Sequence, residues 1–145
     1  MKLIDMHSHW GTQRGYVLRT AAELAQQKKT WNSETKYVTE EEMVAYFRAS
    51  NAQVILDLGF TKFAPVQDIR PLHDYSFDMQ RQHPDAILGN WLHIDPTFHG
   101  KEEGLKELRR CIDAKAGFIG LAVNGSGSVP ASDPTYAPFY KLCIE

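Results

Sequence analysis

Apolar residues along this chain fall into two alternating rhythms. Short, nearly continuous apolar runs stand at residues 3–7, 53–58, 87–94 and 118–123. Between them, apolar residues recur three and four positions apart. Continuous runs of this length predict strands covered on both faces, and the wider spacing predicts amphipathic helices. Thr39 with Glu42 three residues later predicts a capping box, opening a helix that carries Met43, Val44, Tyr46 and Phe47 and ends near Ser50-Asn51. After a loop over 59–71, a helix is expected from about 73 to 82, stopped by His83-Pro84-Asp85 because proline disfavours helical geometry in the residue before it. Residues 101–115 predict the next helix, with Leu105, Leu108, Cys111 and Ile112 on one face. The last helix is expected from near Pro134, carrying Phe139, Tyr140, Leu142 and Ile144.

Four strand-then-helix units in succession predict an α/β fold with a parallel sheet wrapped by helices. The 145 residues suffice for one domain and one core. A closed parallel barrel takes eight such units and typically about 250 residues, so four units make either a small open sheet or half a barrel. One segment breaks the rhythm. Residues 10–38 show no strand pattern and one helical stretch, 20–29, and connections of this length are usually functional or mobile.

Composition narrows the class. Hydrophobic content of 43% and charged content of 23% are ordinary for a globular protein. A net charge of −2 argues against nucleic acid or an anionic membrane as the main partner. No apolar run approaches the ~20 residues of a membrane span, and no secretory leader pattern stands at the N-terminus. Cys111 and Cys143 are too few and too separated for a disulfide framework or a thiolate metal site. Together these features fit a reducing, cytoplasmic setting.

The candidate chemistry sits at the first strand, Leu3-Ile4-Asp5-Met6-His7-Ser8-His9. Regular alternation puts Leu3, Asp5, His7 and His9 on one face. Two imidazoles separated by roughly 6–7 Å of strand rise can converge on one ion, and imidazole is the commonest protein ligand for zinc-like metals. They lie at the C-terminal end of a strand, where α/β folds place their chemistry. Asp5 is expected behind the pair, holding an imidazole tautomer. Trp91, His93 and Asp95 share a face of the third strand, with His93 expected at the sheet mouth in reach of substrate. Asn124 and Ser126 lie just past the fourth strand, where loops meet ligands in this architecture, and Asn124 is expected to contact substrate. Arg14, and less so Arg19, overhang the same mouth and suit a substrate carboxylate. Asp57 is expected in mid-strand and is given little weight; His73, His83 and His99 are expected at the surface.

At Ile4-Asp5-Met6-His7-Ser8-His9 the sequence resembles the amidohydrolase superfamily of metal-dependent hydrolases. More narrowly, it resembles the amidohydrolase-2 branch, which holds aminocarboxymuconate-semialdehyde decarboxylase-like proteins. Three further segments carry the resemblance in order and spacing: Trp91-Leu92-His93-Ile94-Asp95-Pro96, Ala116-Gly117-Phe118-Ile119-Gly120-Leu121, and the run from Asp133 to Tyr140. It implies a TIM-type (β/α)₈ barrel, of which residues 1–145 are the N-terminal (βα)₄ half, with an insertion over about 10–38. It implies His7 and His9 as ligands of Zn²⁺ or another divalent transition metal. Other family ligands, and the aspartate that serves as general base, come from later strands, expected beyond Glu145. The implied activity is hydrolysis of a small carboxylate-bearing ester, lactone or amide. Non-oxidative decarboxylation of an aromatic or muconate-type acid is the alternative. A catalytically inert half-barrel and a non-enzymatic binding module are the other two. A homo-oligomer, or association with a missing half-barrel, is expected of a chain with two raw strand edges.

Overall fold

The computed structural model describes residues 2–16, 20–34, 36–58, 64–115, 117–123 and 129–145. Four strands, β1 (Leu3–His9), β2 (Ala52–Asp57), β3 (Ile87–Leu92) and β4 (Phe118–Leu121), form one all-parallel sheet in the order β1-β2-β3-β4. The helices among the described residues are α1 (Ala21–Trp31), α2 (Glu40–Ala49), α3 (Val66–Gln82), α4 (Pro96–His99), α5 (Lys101–Asp113) and α6 (Ala137–Ile144). None is long and apolar enough to cross a membrane.

The helix starts follow local chemistry. Thr39 accepts from the Glu42 backbone N–H while Glu42 reaches back to the Thr39 N–H, as the spacing predicts. Thr20 and Glu23 make a second capping box at the start of α1. Helix α3 starts earlier than its sequence suggests and runs through Pro71. Proline there removes one intrahelical bond, but Val66, Ile69 and Leu72 are buried on the same helix face, and that apolar burial outweighs the loss.

Register decides which side of the sheet each residue takes. Val54, Leu56 and Ile87 face a helix layer made by Val44 and Phe47 of α2 and Leu72, Tyr75 and Met79 of α3. Leu92 and Phe118 continue that face against Phe77, Leu108, Cys111, Phe139 and Leu142. The opposite face carries Ile4, Ile55, Asp57, Gly89 and Trp91, by their pairing. On it Ile4, Met6 and Ile119 are exposed. Each neighbouring strand pair contains one register shift. Strand β3 approaches β4 so closely that a Cβ on Gly89 would stand 2.5 Å from the Gly117 carbonyl oxygen, which only glycine avoids.

A buried ionic staple joins α3 to α5. Glu107 is fully buried and accepts from Arg70 Nε (2.8 Å), Arg110 Nε (2.9 Å), Arg110 Nη2 (2.7 Å) and His73 Nδ1 (2.9 Å). His73, expected at the surface, is therefore a core residue. Burial pushes the Glu107 carboxyl up, but the hydrogen bonds from His73, Arg110 and Arg70 outweigh it and hold the group well below the usual carboxylate range. Because the folded pKa is depressed, this stabilisation is complete above the ordinary glutamate pKa and is lost as pH falls through the folded one. Glu107→Gln is expected to cost roughly 3 kcal/mol at pH 7, since it removes charge-assisted bonds from a buried network. Urea unfolding of both proteins across pH checks this: the difference should hold from pH 7 to about 5 and shrink below about pH 4.

Candidate metal centre

The extra residue in β1 shapes the site. Asp5 pairs with Val54, and Ser8 pairs with Leu56, so three steps along β1 match two along β2. A bulge of this kind reverses the alternation of faces. His9 consequently lies on the face of Asp57, its partner in register, whereas Asp5 lies on the face of Val54. This corrects the expectation that Asp5 stands behind the imidazoles. Its carboxylate instead accepts from the His7 backbone N–H at 3.0 Å, within the bulge.

Asp57 is the last residue of β2, not a mid-strand residue, and it is buried. A buried carboxylate needs donors, and two imidazoles supply them. His7 Nε2 stands 3.0 Å from Oδ2 and His93 Nε2 stands 2.6 Å from Oδ1. His9 Nδ1 donates to the Asp57 backbone carbonyl at 3.1 Å, which places the lone pair of a neutral His9 ring on Nε2. The His7 and His9 rings meet edge to face, with centroids 4.8 Å apart. Ligand atoms of His7, His9 and Asp57 all lie within 4.8 Å of one another. The cluster opens into a cavity of about 350 Å³ lined by Met6, His7, Asp57, Trp91, Leu121 and Ala122. Trp91 bridges the mouth, its indole N–H donating to the Met6 carbonyl at 2.8 Å.

Two imidazoles and one carboxylate form a donor set that suits Zn²⁺, and also Fe²⁺. The His7 side chain is 63% exposed against 9% for Asp57, so the cluster is backed by protein and approachable from one side. Three candidate donors with an accessible side match the pattern of catalytic rather than structural zinc. The residues present therefore fit a divalent metal.

Other expected site residues fall elsewhere. The Arg14 guanidinium pairs with Glu40 at 3.4 Å and stacks over the Tyr75 ring at 4.1 Å, on the helix layer. Trp10 is drawn into the same layer, fully buried, stacked on Phe47 and donating to the Tyr75 hydroxyl at 2.7 Å. Residues after His9 thus turn back onto the helices, and these two do not overhang the mouth. His93, expected in reach of substrate, is buried and bonded to Asp57, and it is not among the described residues that line the cavity. Asp95 caps α4 through the Thr97 N–H. His99, expected at the surface, is a half-buried clamp: its Nδ1 accepts from the Asp95 N–H and its Nε2 donates to the Ala64 carbonyl. Burial lowers its pKa, as suits the neutral ring this requires. Arg19, Asn124 and Ser126 lie outside the described residues.

Asp57 is the residue that sequence reasoning underrated. Its signal was a lone carboxylate closing an otherwise apolar run, which in a covered strand demands a polar partner.

A second cluster, His73, Glu107 and Cys111, also brings ligand atoms together. It is fully enclosed, and the Glu107 oxygens are already taken up by two guanidiniums and an imidazole, whose positive charge opposes a cation. Burial, with Glu107 beside it, pushes the Cys111 thiol up to about 12, so it stays protonated and unreactive. Thiol titration of the native chain at pH 8 should show one accessible group, the exposed Cys143. Cys111 should react only after denaturant is added; two equally fast thiols in the native protein would contradict this.

Comparison of the chain with protein-family models, with curated proteins and with solved structures gave no match.

Proposed function

We propose that this chain carries the metal-binding part of a metal-dependent hydrolase of amidohydrolase type. The observation that carries it is the convergence of His7, His9 and the Asp57 carboxylate at the C-terminal ends of neighbouring parallel strands. His7 and His9 would hold the ion. The chemistry a divalent metal brings to such a place is Lewis acidity, which acidifies a water towards neutrality and polarises a carbonyl. The protein's own contribution is positional. His9 is oriented by the Asp57 carbonyl, Asp57 is fixed between two imidazoles, and Trp91 narrows the approach.

The half-barrel architecture belongs to the same proposal. Four parallel strands in sequence order, helices on one face and exposed apolar side chains on the other (Ile4, Met6, Ile119) suit half of an eight-stranded barrel. Among the described residues, strands β1 and β4 each present an unpaired edge, which supports pairing with further strands of a barrel. The substrate class that follows is a small ester, lactone or amide.

Metal analysis after dialysis against Zn²⁺ is expected to find about one equivalent per chain in the wild type, and under a tenth in His7→Ala and His9→Ala. A wild-type chain that retains no Zn²⁺ would overturn the metal centre. Assays of the Zn²⁺-loaded protein on a lactone and on an aromatic carboxylic acid, read by acid release and by CO₂ release respectively, separate hydrolysis from decarboxylation.

A further inference from the structure

Asp57 and His93 come from the ends of different strands, and the resemblance assigns a role to neither. Both are more than nine-tenths buried, at 7% and 8% exposure. Their contact is short, 2.6 Å from Nε2 to Oδ1. The second oxygen, Oδ2, is turned the other way, towards His7 at 3.0 Å.

We propose that Asp57 is the third metal-ligating residue of this centre and that His93 is its positioning residue, pinning one carboxylate oxygen so that the other faces His7 and His9. This rests on His7 and His9 being metal ligands, and extends that set to β2 and to the segment after β3.

The chemistry of the pair supports it. A carboxylate only accepts, so the proton between the two lies on His93 Nε2. The remaining lone pair of a neutral ring is then on Nδ1, which is buried with no hydrogen-bond partner among the described residues. Leaving a buried ring nitrogen unmatched costs stability. His99 shows the alternative in the same protein: a histidine used as a clamp has both nitrogens satisfied. His73 also has an unmatched Nε2, but its carboxylate, Glu107, is saturated by arginines that cannot ligate a metal. The donors to Asp57 are imidazoles, one of them on the accessible side. A hydrogen bond to a ligating carboxylate fixes its orientation, and loss of such partners typically lowers metal affinity 10–100-fold.

The test is a Co²⁺ titration of the full chain followed by visible absorption, with Zn²⁺ competition for affinity. Asp57→Asn should weaken binding at least tenfold and alter the Co²⁺ spectrum, because a charged ligand is lost. His93→Phe, which has no donor, should weaken binding about 10–100-fold, and His93→Gln, which keeps an N–H, should recover part of that loss. Urea midpoints of the metal-free proteins are read alongside: a merely structural His93 would lower the midpoint and leave Co²⁺ affinity unchanged. If His93→Phe does not fold, His93→Met, also without a donor and adaptable in shape, takes its place. Wild-type affinity in the folded donorless variant or in Asp57→Asn, with binding still lost in His7→Ala, overturns this inference and leaves the metal centre standing. Absence of Co²⁺ and Zn²⁺ binding in the wild type overturns both.

Discussion

The buried carboxylate of Asp57 ties together the open end of the sheet. It terminates β2, takes a contact from His7 of β1 through one oxygen, and takes another from His93, just past β3, through the other. Three consecutive strands are thereby linked at their C-terminal ends by one side chain that could not be buried without such donors. The backbone of the same residue orients His9. Remove the carboxylate, and the arrangement of the three imidazoles loses its common reference.

Two buried carboxylates in one small fold have opposite characters. Glu107 lies between helices, encircled by Arg70, Arg110 and His73. Permanent cations neutralise it, and its site is closed. Asp57 lies at a strand end, partnered by imidazoles that can be neutral, on a face where His7 is largely exposed. The first arrangement fixes how α5 sits on α3. The second leaves room for an ion and for something that approaches it. What separates a structural network from a candidate active centre here is the partner type and the accessible side, since a buried carboxylate and ligand proximity are common to both.

Much of the fold was legible in the residues. Continuous apolar runs marked all four strands, and the Thr39–Glu42 pair marked the start of α2. The polar misreadings have specific causes. Asp5 was assigned to the histidine face by regular alternation, and the bulge between Asp5 and Ser8 reverses that alternation. His73 looked like a surface residue because its partners, Glu107 and Cys111, lie more than thirty positions away on another helix. Pro71 looked like the end of a loop, yet apolar burial on both sides of it holds it inside α3. Arg14 was placed at the mouth by its proximity to His9 in sequence, and the aromatic core holds it, with Trp10, on the opposite side of the sheet.

The sequence by itself determined the order of strands and helices, the parallel α/β class and the pair of histidines at the end of the first strand. Those depend on local periodicity and on residue type, which a linear reading contains. Only the tertiary structure decided which faces meet. It set Asp57 beside His7 and His93, turned Asp5 away and carried His73 into the helix layer. Those outcomes depend on register, where a single inserted residue moves a side chain to the other face of the sheet. They depend equally on buried charges finding partners distant in sequence, which local pattern does not encode.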